Sequence, residues 1–305
     1  VLFRSGQNVS HRSYELPIDP WLAHNYDVWS SLSEVENNGN QYQEIKPIHD
    51  YFSFMLNLVA REIVQAKPRI IGFSIQQCSE IMSAELINLL RREGLTSPII
   101  VGGFSCYNFD IGLKGFPLAD YMCIGEAETT IGILLKEILD KGLAKDLPGV
   151  LSKFDSSDRT FSPAPMIHDL NLIEFPKYSW SDLKIYRNWD GYQLIPIIAS
   201  RGCRWSRCTF CAERFYWRIR SASDFVDELE WHVQRGHYLF MFNESDLNGM
   251  PERVLEICDE IIQRGLHKKV KLTGQLRIHR KSDSNFFDKL RAAGFVALRF
   301  GVDSF

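Results

Sequence analysis

The stretch Ile198-Ala-Ser-Arg-Gly-Cys203-Arg-Trp-Ser-Arg-Cys208-Thr-Phe-Cys211-Ala-Glu213 decides how this chain is read. It follows the apolar run Leu194 to Ile198 and places three thiols on one short loop, with no fourth cysteine beside them. Thiolates select soft or borderline metals: iron in iron–sulfur clusters, zinc or Cu(I). A loop leaving the C-terminal end of a strand is also where α/β folds place their active sites. From spacing alone, three readings stand. The thiols hold an iron–sulfur cluster with one iron left open to a small molecule. They hold zinc with a distant fourth ligand, His232 or His237. Or they are three unrelated thiols.

Working outward, strand and helix patterns alternate from Leu194 onward, the signature of α/β architecture. Strands are expected at 194–199, 238–242, 269–274 and 296–302, and helices at 222–234, 251–264 and 284–293. Gly236, Gly265 and Gly294 each follow a helix at C-cap spacing. Pro251 suits a first helical position, and Ser221 with Asp224 resembles a capping box. Residues 194–305 have room for roughly four βα units of about 30 residues each, too few to close a barrel. The chain is therefore expected to be truncated at its C-terminus.

A second alternation lies upstream. Strands are expected at 69–74, 98–101 and 120–124, with a further strand or hairpin from Leu151. Helices are expected at 49–66, 82–93 (capped by Gly94) and 127–140. Ser74, Gly102-Gly103 and Gly125-Glu126 sit at the strand ends. They form either a ligand-facing edge, where glycine lets backbone approach a ligand, or ordinary tight turns. Residues 155–193 carry Pro163, Pro165 and Pro176 with Tyr178, Trp180, Tyr186 and Trp189. They read as a connector packed against folded structure rather than a free linker. Residues 1–48 show no periodicity, and Val1 to Ser5 read as non-native.

The bulk numbers narrow the function classes. The chain has 305 residues, 45% hydrophobic and 24% charged, with a net charge of −3. That is a globular balance for about two domains at ~150 residues each, and it argues against a large nucleic-acid surface. No apolar run reaches the ~18–20 residues of a membrane span, and no signal peptide is visible, so a cytoplasmic protein is expected. Of the seven cysteines, Cys78, Cys106, Cys123 and Cys258 are scattered and read as buried thiols of a reducing compartment.

The loop Ser200-Arg-Gly-Cys203 to Cys211, after a first strand, resembles the cluster loop of the radical S-adenosylmethionine superfamily. The resemblance implies that Cys203, Cys208 and Cys211 bind a 4Fe–4S cluster. The open iron would chelate S-adenosylmethionine, and an electron from the cluster would release a 5′-deoxyadenosyl radical. The spacing departs from the usual one by a single residue: four residues, not three, separate Cys203 from Cys208. By the same resemblance Phe210 packs near the adenine, and Asn243, Glu244, Gln275, Arg277 and Asp303 contact S-adenosylmethionine from the strand ends. The run Arg201, Arg204, Arg207, Arg214, Arg218 and Arg220 is a solvated face, or it supplies guanidinium groups for the S-adenosylmethionine carboxylate, an acidic substrate or a cobalamin phosphate.

The upstream half resembles the cobalamin-binding domain of one subgroup of that superfamily. This implies a Rossmann-like domain over 49–154, a connector over 155–193, and the first half of a partial (β/α)6 barrel over 194–305. Ser74, Gly102, Gly103, Gly125 and Glu126 would line the cobalamin pocket. The Asp-x-His-x-x-Gly motif that supplies a lower cobalt ligand in many cobalamin domains does not occur in the 305 residues. The implied activity is cobalamin-dependent methyl transfer or another C–H functionalisation, on a small-molecule or peptide substrate. Its electrons would come from a donor such as flavodoxin or ferredoxin. This length of chain alone is expected to be inactive. The alternatives are a methylthiotransferase-like or RNA-modifying radical enzyme, and a non-enzymatic zinc-binding module.

Overall fold

The computed structural model describes residues 41–76, 79–107, 115–156, 158, 160–178, 193–211, 215–279 and 281–301. The chain divides between Met166 and Ile167 into two compact units. The expected connector, 155–193, straddles that division.

The first unit opens with helix α1 (Gln41–Ala66) and continues with β1 (Ile71–Ser74), α2 (Glu80–Arg92), β2 (Ile99–Gly102), β3 (Tyr121–Cys123), α3 (Ile131–Lys141) and β4 (Val150–Ser152). The sheet order is β1-β2-β3-β4. The first three strands are parallel and β4 is antiparallel to β3, so Leu151 belongs to the expected additional strand. β2 and β3 are buried along most of their length, as strands covered on both faces are. One apolar cluster joins Ile71, Ile99, Val101 and Met122 to Ile87 and Leu90 of α2. The other joins Ile100, Tyr121 and Val150 to Leu134 and Ile138 of α3.

The second unit contains β5 (Ile195–Ile197), β6 (Ser200–Arg201), β7 (Arg218–Ile219), α4 (Ala222–Val233), β8 (Leu239–Phe242), α5 (Pro251–Gln263), β9 (Lys271–Leu276), α6 (Ser284–Ala292) and β10 (Phe295–Phe300). Its main sheet is wholly parallel, in the order β5-β8-β9-β10. α5 shows why it packs where it does. Val254, Ile257, Cys258 and Ile261 recur at helical spacing, and all four are buried, giving one apolar stripe for the sheet. Phe225 and Leu229 of α4 and Phe286 and Leu290 of α6 bury beside them, against Phe240, Phe242, Leu272 and Leu276. Alternate residues of the strands, among them Pro196, Lys271 and Gln275, lie on the opposite, exposed face.

The expected caps form. Ser221 Oγ accepts from the Asp224 N–H at 3.1 Å, Pro251 opens α5, and Gly236, Gly265 and Gly294 all have positive φ. The small antiparallel ribbon of β6 and β7 was not expected from the sequence. Cys106, Cys123 and Cys258 are buried thiols as expected; burial pushes the first two up to about 11 and Cys258 up to about 12. Cys78, Arg214 and Asp303 lie outside the described residues. No described helix is long and apolar enough to cross a membrane.

Candidate functional site

The cysteine loop hangs from the C-terminal end of β5 and returns through the β6–β7 ribbon. Its root is fixed by three hydrogen bonds. The Asn243 N–H donates to the Ile197 carbonyl at 2.9 Å, and the Arg220 N–H donates to the Ala199 carbonyl at 2.9 Å. The Ala199 N–H donates to Glu244 Oε1 at 2.6 Å. Gly202, immediately before Cys203, has φ +81°, and a Cβ there would sit 2.5 Å from the Phe215 carbonyl oxygen. Only glycine lets the loop cross the returning strand so closely. Gly202 is thus set by the backbone crossing at the base of the loop.

Within the loop, the Ser206 N–H donates to Cys203 Sγ at 3.4 Å, and the Cys211 N–H donates to the Cys208 carbonyl at 3.3 Å. All three thiols are unbridged and partly exposed. Among the described residues no three His, Cys, Asp or Glu side chains are gathered on one centre. The loop therefore carries its three sulfurs on one nine-residue stretch without closing them around a point. Partly exposed thiols on one loop, one of them accepting a backbone N–H, fit an iron–sulfur cluster, whose potential responds to such hydrogen bonds and to exposure. The suggested fourth zinc ligands do not join them. His232 ends α4, and His237 precedes β8 and bonds Gln193 ahead of β5 at 3.0 Å. Both histidines stand at the opposite ends of the strands from the cysteines. His232 is buried among rings, and burial pushes it down to about 4.

The polar residues expected to meet at the strand ends separate into two groups. β8 alternates, with Phe240 and Phe242 buried, and the period continues beyond the strand to Glu244 and Asp246. Glu244 is therefore turned inward, away from any ligand at the rim. Burial pushes its carboxyl up to about 7, against the pull of the Ala199 and Ser200 hydrogen bonds. Asn243, one residue earlier, is exposed. On β9 the buried residues are Leu272, Gly274 and Leu276, which puts Gln275 on the exposed face and Arg277 in phase with it. Phe210 is 72% exposed and packs on nothing described.

A network not foreseen from sequence links the loop to the end of β9. Asp246, fully buried, accepts from Arg277 Nε at 2.9 Å and lies 3.9 Å from Cys203 Sγ. Asn248 bonds both the N–H and the carbonyl of Arg277. The period of two running from Phe240 through residue 246 was the available signal.

Three of these observations bear directly on what the chain is related to: a parallel βα half-sheet, a three-cysteine loop after its first strand, and a separate parallel α/β unit ahead of it. No family model matches. The chain is 29% identical over 228 residues to the anaerobic magnesium-protoporphyrin IX monomethyl ester cyclase of Synechocystis sp., covering 72% of this chain and 44% of that protein. Its structure is similar to the cobalamin-dependent S-adenosylmethionine radical enzyme OxsB with aqua-cobalamin and S-adenosylmethionine bound. The TM-score is 0.64 at 21% identity, over 82% of this chain and 37% of that one. It is also similar to the radical S-adenosylmethionine methyltransferase TsrM of Kitasatospora setae, with a TM-score of 0.59 at 20% identity, over 92% of this chain and 56% of that one. In fold the chain resembles these radical S-adenosylmethionine enzymes. The chain spans less than half the length of the curated cyclases it matches.

Two arginines thought able to reach radical-enzyme ligands are otherwise engaged. Arg220 is buried, with Nε 2.6 Å from Asp224, Nη1 on the Glu228 carboxylate and a further bond to the Ile198 carbonyl at 3.1 Å. Arg218 donates to the Ile167 and Tyr216 carbonyls. Both are internal struts. In the first unit, Ser74 and Gly102 end β1 and β2, and Gly103 and Gly125-Glu126 follow β2 and β3, so all stand at the C-terminal edge of the sheet. A Cβ on Gly103 (φ +103°) would lie 2.6 Å from the Ile75 carbonyl oxygen. Close backbone approach therefore explains this glycine before any ligand is considered.

Proposed function

We propose that the chain is part of a cobalamin-dependent radical S-adenosylmethionine enzyme that performs methyl transfer or another C–H functionalisation. The observation that carries this reading is the three-cysteine loop at the C-terminal end of the first strand of a parallel βα sheet. In this reading residues 49–154 are a Rossmann-like cobalamin-binding domain, 155–193 a connector, and 194–305 the first half of a (β/α)6 barrel. The sequential parallel order β1-β2-β3 is compatible with strands 3, 4 and 5 of the flavodoxin-like order 2-1-3-4-5.

Cys203, Cys208 and Cys211 hold the 4Fe–4S cluster as thiolates. When bound, the cluster with S-adenosylmethionine supplies one-electron chemistry that the protein itself cannot. The chain's own part is positioning. The Ser206 N–H shares the Cys203 sulfur, and Glu244 and Asn243 tie the root of the loop to the end of β8. Asn243, Gln275 and Asp303 are the rim residues assigned to S-adenosylmethionine, with Phe210 covering its adenine, whereas Arg277 is held by Asp246 and faces the Trp205 ring instead. Glu244 acts from beneath, as a support of the loop. Ser74, Gly102, Gly103, Gly125 and Glu126 are assigned to the cobalamin edge. A small-molecule or peptide substrate, a flavodoxin- or ferredoxin-type donor and a cytoplasmic setting complete the reading.

The test is anaerobic reconstitution with iron and sulfide. Wild-type chain should bind close to four irons and four sulfides, and Cys208→Ala should lose the cluster. A colourless protein holding one zinc, or full iron in the variant, would contradict the assignment. Corrinoid retained after growth with hydroxocobalamin tests the first unit separately.

A further inference from the structure

Four residues separate Cys203 from Cys208, and two of them, Arg204 and Trp205, stand just before the left-handed backbone of Ser206 (φ +44°). Both line a cavity of about 440 Å³ whose other walls are Arg277, His279, Lys281 and the first turn of α5 with Glu252. That volume lies within the ~300–1,000 Å³ range of small-molecule sites.

The walls are pre-positioned by contacts among themselves. Arg204 Nη1 donates to the Gly249 carbonyl at 3.2 Å, and its guanidinium lies 5.4 Å from the Trp217 ring centroid. The Arg277 guanidinium lies 5.1 Å from the Trp205 ring centroid, while its Nε is held by Asp246. Lys281 pairs with Glu252. Three cations line the cavity, Arg204, Arg277 and Lys281, against Glu252 in its wall and Asp246 behind Arg277, which leaves one positive charge. Trp205 is 45% exposed and offers a ring surface beside that charge. A guanidinium fork favours a carboxylate, and a half-exposed indole favours a flat ring.

We infer that this cavity binds a small aromatic monocarboxylate, distinct from S-adenosylmethionine. The inference rests on the proposed function only for the cavity's place beside a cluster. S-adenosylmethionine carries a sulfonium and an ammonium against its single carboxylate, so its net charge has the same sign as the cavity's. A neutral ring bearing one carboxylate matches it.

The probe is benzoate, titrated calorimetrically into the reconstituted full chain, with benzamide and inorganic phosphate as controls. Benzoate should bind about tenfold more tightly than benzamide, because only the carboxylate meets the charged fork. Arg204→Gln and Trp205→Ala should each weaken it by about tenfold. Lys281→Gln, at an exposed position that cannot upset folding, should weaken it by a smaller factor. Saturating S-adenosylmethionine should leave benzoate affinity unchanged. Equal binding of benzoate and benzamide, preference for phosphate, indifference to all three variants, or displacement by S-adenosylmethionine would each overturn the inference. The same samples are assayed for iron. A wild-type chain without a cluster defeats the proposed function, while benzoate binding to that chain is still read against its variants.

Discussion

At the residue scale, Glu244 shows how little separates a ligand from a support. From sequence it stands beside Asn243 at the end of a strand, equally polar and equally placed. The period of two from Phe240 and Phe242 turns it inward, and the Ala199 N–H takes its oxygen. Its consequence is a pH signature. Burial raises the carboxyl from 4.5 to about 7, so the native state holds the proton more tightly than the unfolded chain. That contribution to stability is complete below pH 4.5 and is lost as the pH rises through about 7. Glu244→Gln keeps an acceptor for the Ala199 N–H and removes the titration. Melting temperatures across this window should fall more steeply for wild type than for the variant. Parallel curves would show that Glu244 does not titrate there. The cysteine loop was legible because its side-chain chemistry is unusual. The inward turn of Glu244 and the burial of Arg218 and Arg220 were not, because both depend on which face a polar residue inherits from its strand.

At the element scale, the four strands and three helices of the second unit were legible from periodicity, caps and glycine spacing. The β6–β7 ribbon was not: two residues per strand carry no pattern. Yet the ribbon closes the cysteine loop, and its return is anchored to α4 through Arg220. Burial raises the Glu228 carboxyl even though the Arg220 pairing lowers it. Arg220→Ala leaves that carboxylate buried without its cation and should cost about 3–5 kcal/mol, as breaking one side of a buried pair does. Urea unfolding measures this. Arg220→Ala combined with Glu228→Leu should recover much of the loss, since no charge is then stranded. A double variant as unstable as the single one would mean that packing around Arg220, not its charge, holds the ribbon.

At the scale of the whole molecule, the apolar clusters divide as the chain does: one in the second unit, two in the first. Compact units with apolar clusters of their own melt as separate cooperative units. Calorimetry should therefore show a calorimetric enthalpy larger than the van't Hoff enthalpy. Hydroxocobalamin should raise one of the two transitions and leave the other in place, by the mass action of a ligand that binds one native unit. A single transition moving as a whole would contradict independent units.

The most direct test of the central claim is the electron paramagnetic resonance spectrum of the reduced, reconstituted chain, recorded with and without S-adenosylmethionine. A 4Fe–4S signal is expected whose g-values shift when S-adenosylmethionine is added, because three cysteines leave one iron open to it. A signal that S-adenosylmethionine does not alter, or a protein that binds zinc and gives no signal, would contradict it.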